Sequence, residues 1–126
     1  MTVAFWCVLV AALLPYVGTL SSKIGGRMPT ADNRRPREWL AKVEGWPKRA
    51  HWFQLNSFEA FPAFAAAVIV ATLAHGDPSM INGLAVAFIV LRLVYFVCYL
   101  ADWATLRSST WLLGVVCVVW LFCLGA

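Results

Sequence analysis

The chain has 126 residues, of which 62% are hydrophobic and 13% charged, with a formal net charge of +4. Soluble domains are about 45–50% apolar and about 25% charged, and a domain this small has too little interior to hide the excess. An ordinary water-soluble domain is therefore excluded. A spanning helix needs roughly 20 mostly apolar residues, so the length allows about four spans and no separate soluble domain.

Residues 1–22 carry no charged side chain. A first span is predicted over about 2–20, bent at Pro15. The segment lacks the basic n-region and small-residue cleavage site of a signal peptide. Residues 21–48 then hold seven basic and three acidic residues. Gly25, Gly26, Pro29, Pro36, Gly45 and Pro47 punctuate this loop. A short helix is predicted from Pro36 to Glu44, with the proline in its first turn. Trp39 and Trp46 suit the headgroup level.

The second span is predicted over 49–75. It starts amphipathic, RAHWFQLNSFEAFPAF, and ends fully apolar. Pro62 frees the carbonyl of Phe58, so a kink is expected just above Glu59. HGDPS makes a tight turn into the third span, 80–102, which one charge, Arg92, interrupts. A connector carrying Arg107 and Ser108 leads to the fourth span, 109–125. Trp6, Trp103, Trp111 and Trp120 are expected as interfacial anchors or lipid-facing packing. The fold expected is an all-α, integral membrane four-helix bundle forming one domain over 1–126.

Cys7, Cys98, Cys117 and Cys123 all lie in apolar runs and form no CxxC pair, so apolar packing is expected rather than metal or redox chemistry. No metal site is expected. Eight of the ten Lys/Arg lie in or beside the first loop, none follows the second span, and Arg107 follows the third. The positive-inside rule puts both basic connectors on the cytoplasmic side and both termini on the other.

Polar residues inside spans are costly and usually face the bundle interior. Here they form two stripes, Arg49–Trp52–Asn56–Glu59 and Arg92–Tyr95–Tyr99–Asp102. Both step by three, four and three, which at 100° per residue confines each to roughly an 80° sector. Antiparallel spans would set Arg49 level with Asp102, and Glu59 level with Arg92 about 15 Å deeper. A Glu59–Arg92 ion pair fixing register would explain two of these residues. The added amide and phenols favour a polar cleft that opens to the cytoplasm.

The segment RAHWFQLNSFEAFPAF carries Asn-x-x-Glu-x-x-Pro at Asn56, Glu59 and Pro62. Span three carries Arg-x-x-Tyr-x-x-x-Tyr at Arg92, Tyr95 and Tyr99, and Arg107–Ser108 precede the last span. With four spans and a basic first loop, these motifs resemble the MAPEG superfamily, the membrane-associated proteins of eicosanoid and glutathione metabolism. The segment DNRRPREWLAKVEGWPKRA looks like its bacterial branch.

The resemblance implies a homotrimer in a bacterial inner membrane, with glutathione as co-substrate at subunit interfaces near the cytoplasmic face. It implies Arg49, Gln54, Asn56, Glu59, Arg92, Tyr95 and Tyr99 as glutathione contacts. Arg107 would stabilise the glutathione thiolate, with Ser108 as a hydrogen-bond donor. Trp52 stands where glutathione-using eukaryotic members carry Arg. The activity implied is a glutathione transferase or peroxidase acting on lipophilic electrophiles or lipid hydroperoxides. The alternative is a non-catalytic lipid-binding or scaffold protein of the same fold. A four-span drug/proton exporter is disfavoured, because its membrane carboxylate is usually in the first span and span one has none.

Overall fold

A computed structural model describes residues 1–126 and contains only helices and their connectors. The elements are α1 (Val3–Gly25), a 3-10 turn (Thr30–Arg34), α2 (Pro36–Lys42), α3 (Trp46–Leu73), α4 (Pro78–Ala101) and α5 (Ala104–Leu124). The four long helices α1, α3, α4 and α5 are each long and apolar enough to cross a membrane.

Local chemistry sets the helix ends. The Thr2 hydroxyl accepts from the Phe5 N–H, and Asn82 on α4 accepts from the Ala4 N–H at 3.0 Å. Both satisfy donors that an α-helix leaves free in its first turn. Asp77 caps α4 through the Met80 N–H, and Pro78 occupies the first helical position, where no donor is needed. Asp102, at φ 61°, stops α4 in the left-handed conformation. Gly45, at φ 74°, turns the chain into α3, a conformation that favours glycine.

Helix boundaries differ from the sequence expectation by up to five residues, and α3 begins three residues early at Trp46 and ends two early at Leu73. α1 runs on to Gly25, because Ser21 to Gly25 hold no proline and continue its turns. α2 ends at Lys42, two residues early. α5 begins at Ala104, so the connector from α4 is only Asp102–Trp103 and Arg107 lies in the first turns of a helix. α3 continues through Pro62 without a break.

Antiparallel α1 and α3 pack along each other, as do α4 and α5. A core of Ala4, Cys7, Ala11, Phe64, Ala67, Val68, Ala71, Ile81, Ala85, Phe88, Cys117 and Leu121 fills the end away from the basic loop. Its small residues let the helix axes approach closely. α1 also lies close against α3 at Gly18, where a Cβ would stand 2.9 Å from the Ala50 carbonyl oxygen and 3.1 Å from the Gln54 nitrogen. Cys7, Cys98 and Cys117 are buried as expected, whereas Cys123 faces outward.

Only 26 of the 126 residues are buried. Leu9, Leu13, Val90, Val97, Leu112, Val116 and Trp120 are among the many large apolar side chains left outside. A surface this apolar on every long helix fits contact with lipid, and the protein is a multi-pass integral membrane protein.

Candidate functional site

The polar residues of α3 and α4 converge, but in a register slipped from the one their spacing suggested. Arg92 is buried and donates to Asn56 Oδ1 and to Ser57 Oγ, both at 2.8 Å. Its guanidinium also lies 4.4 Å from the Tyr95 ring centroid and 5.3 Å from that of Phe53. Arg49 donates to the carbonyls of Tyr99, at 2.8 Å, and Leu100, at 3.1 Å.

The spacing of the stripes sets Glu59 level with Arg92 and Asp102 level with Arg49. Both contacts are displaced by two to three residues in the same sense, a slip of about 3–5 Å between the two helices. The chain's two ion pairs, Arg35–Glu38 and Lys48–Glu44, both lie before Arg49 and involve neither stripe. A Glu59–Arg92 ion pair within the chain is thereby overturned.

The slip changes what each arginine does. Arg49 caps the carbonyl end of α4, where a cation is favoured by the helix dipole. Arg92 is a buried cation satisfied by a neutral amide and a neutral hydroxyl. Glu59 is exposed, and its carboxylate is left unpaired on the same face.

Two adjoining clefts open between α3, α4 and α5. The deeper, of about 270 Å³, is lined by Asn56, Glu59, Arg92, Thr110 and Trp111 at its polar end, and by Ala63, Phe88, Gly114 and Val118 beyond. The shallower, of about 210 Å³, is lined by Asn56, Tyr95, Tyr99, Arg107, Ser108 and Trp111. Asn56 and Trp111 belong to both, so the two form one groove. It runs from a cationic mouth into an apolar floor. Small-molecule sites commonly pair a mostly apolar wall with a few convergent polar groups in this way.

Arg107 holds no hydrogen-bonded acceptor. Its guanidinium lies 4.7 Å from the centroid of the Tyr99 ring. Tyr99 in turn meets Tyr95 edge to face, with centroids 5.0 Å apart and planes at 89°. Arg92, Tyr95, Tyr99 and Arg107 thus form a continuous ladder of two cations and two rings along the groove.

Of the nine residues singled out in the sequence, Asn56, Glu59, Arg92, Tyr95, Tyr99, Arg107 and Ser108 line the groove. Arg49 is not part of its lining and is bound instead to the α4 backbone. Gln54 is not brought in. It falls about 160° around α3 from Asn56, and its side-chain oxygen meets His51 Nδ1 at 3.0 Å.

Three residues escaped the sequence reading. Ser57, about 100° off the stripe, binds Arg92 from the helix interface. Thr110, buried in the α5 wall, spends its hydroxyl on the Arg107 carbonyl at 2.8 Å. Trp111, expected among lipid-facing anchors, lines both clefts. Only the mixed polarity of RSSTW at the start of α5 hinted at the last two.

The position of the Trp52 departure is exposed, and Lys48 lies 5.7 Å from its ring. The MAPEG family model matches residues 3–126. No curated protein matches the chain.

Proposed function

Because the chain belongs to the MAPEG family, a family of membrane proteins associated with glutathione and eicosanoid metabolism, we propose that it is a glutathione-dependent transferase or peroxidase. Its second substrates would be lipophilic electrophiles or lipid hydroperoxides. The observation that carries this reading is the guanidinium of Arg107, free of any acidic partner, at the mouth of a groove whose floor is apolar.

The residues present fit the tripeptide. The unpaired Glu59 carboxylate suits its ammonium group, and Asn56 offers an amide beside it. The exposed N–H groups of Arg107 suit an anion, with the Ser108 hydroxyl adjacent in the same cleft. A free thiol has a pKa near about 8.5. A guanidinium within about 4–6 Å of an acid favours the charged form and lowers such a pKa by about 1–3 units. The thiolate is the nucleophile. In the transferase reaction its sulfur bonds to the electrophilic carbon, the leaving group departs with the electron pair, and the thiol proton passes to solvent.

The reading carries a homotrimer, as the family resemblance implies. A partly uncovered carboxylate at Glu59, in the middle of a span, is costly against lipid, and a neighbouring subunit would cover it. It also carries a bacterial inner membrane with the mouth toward the cytoplasm, since the basic loop and Arg107 share one end of the bundle. One observation favours a second reading, a non-catalytic lipid-binding protein of the same fold. Trp52 replaces the family arginine, and Arg49, the nearest upstream arginine, is committed to the α4 carbonyls.

The test is glutathione conjugation to a model electrophile by purified protein, wild type against Arg107→Ala. Loss of one thiolate-stabilising cation is expected to lower the rate by about 10–10³-fold at neutral pH. Equal rates would remove Arg107 from the chemistry. Silence of the wild type in calorimetry with millimolar glutathione would favour the lipid-binding reading.

A further inference from the structure

A guanidinium that stabilises a transient anion must be held still, yet arginine carries about 2 kcal/mol of rotamer freedom. Arg107 has no carboxylate or carbonyl to steady it. Its guanidinium lies over the face of Tyr99, at 4.7 Å. This arrangement leaves the N–H edge of the guanidinium open to an acceptor, which a salt bridge would have consumed.

Tyr99 is itself fixed from three sides. Its carbonyl accepts Arg49 Nε at 2.8 Å, its ring is braced edge-on by Tyr95, and Asp102 ends the helix one turn later. The Asp102–Trp103 connector then returns the chain so that Arg107 faces back across the turn.

We propose that Tyr99 is a positioning residue, whose ring, rather than its hydroxyl, holds Arg107 in the orientation that receives the thiolate. The proposal rests on the glutathione-dependent reading for its chemistry, and goes beyond it in assigning the work to the aromatic face. Arg49 acts one step further back, by holding the turn that carries the ring. The family resemblance implies tyrosine contacts to glutathione, for which a phenol oxygen would be needed. The geometry requires only a π face, which Phe supplies and Leu does not.

The experiment compares Tyr99→Phe and Tyr99→Leu in the full-length, detergent-purified protein. First, the ultraviolet absorbance of bound glutathione thiolate is followed against pH. Loosening the cation disfavours the thiolate, so Tyr99→Leu is expected to move the profile alkaline by roughly 0.5–1.5 pH units, about 3–30-fold less thiolate at neutral pH. Tyr99→Phe is expected to keep the wild-type midpoint. A merely structural role would change the amount of folded protein without moving the midpoint.

Second, the Arg107 Nε–Hε resonance, assigned with Arg107→Lys, is recorded without glutathione. The ring current of the stacked face is expected to persist in Tyr99→Phe and vanish in Tyr99→Leu. An unmoved midpoint in Tyr99→Leu, or a Phe variant as impaired as Leu, overturns the proposal. If wild type forms no thiolate, the glutathione reading falls and the resonance alone decides. A shift lost only in Leu then supports the positioning role, and a shift unchanged in Leu overturns it.

Discussion

Replacing Arg92 by Met tests the central polar network of the bundle. The guanidinium is buried and makes two hydrogen bonds at 2.8 Å, to Asn56 and Ser57. Each charge-assisted bond contributes about 1.5–3 kcal/mol. Removing the cation also relieves the cost of burying it, which offsets part of the loss. Ser57 then remains buried without a partner, a further cost of about 1–3 kcal/mol. The net destabilisation expected is about 2–4 kcal/mol, a factor of roughly 30–1,000 in the folded fraction. For a chain of this length that corresponds to a fall of about 6–16 °C in Tm.

The assay is thermal and denaturant unfolding of purified protein in one detergent, read by circular dichroism. The triple variant Arg92→Met/Asn56→Leu/Ser57→Ala removes both stranded acceptors and is expected to recover most of the loss. An Arg92→Met protein as stable as wild type, or a triple variant no better than the single, would refute the reasoning. The network would then contribute no net stability.

Two more substitutions probe how the groove is held. Gly18→Leu drives a side chain into the Ala50 carbonyl and the α3 backbone. It should cost at least about 1–3 kcal/mol, visible as a lowered Tm, and an unchanged Tm would mean that α1 and α3 are not closely apposed there. Arg49→Ala uncaps the Tyr99 and Leu100 carbonyls and should cost about 1–2 kcal/mol. Hydrogen exchange at residues 98–103 should accelerate, with Arg49→Lys intermediate, and exchange equal to wild type would remove Arg49 from the turn.

The spans could be read from sequence because four long apolar runs leave no alternative partition. The polar stripes could be read because three-and-four spacing fixes which side chains share a face. Register could not. A stripe gives azimuth but not height, and height depends on close packing such as Gly18 against Ala50 and Phe53. The slip that sends Arg92 to Asn56 and Ser57 follows from contacts that no residue pattern displays. Gln54, which the family resemblance implied as a contact, lies outside the stripe and falls on the other side of the helix. Trp111 looked like any tryptophan in an apolar run until the short Asp102–Trp103 connector brought the start of α5 against Asn56.

The 28 residues of α3 extend over about 42 Å, well beyond a hydrocarbon layer of about 30 Å. Some two turns must therefore emerge or the rod must lean. The groove reaches from Arg107 at one end of the bundle to Glu59 and Ala63 in the middle of α3, so bilayer thickness becomes a variable of the site. In a thin bilayer the Arg107 end would stand clear in water. In a thick one it would sink toward the acyl chains, and water-borne and lipid-borne reactants would meet at a different height.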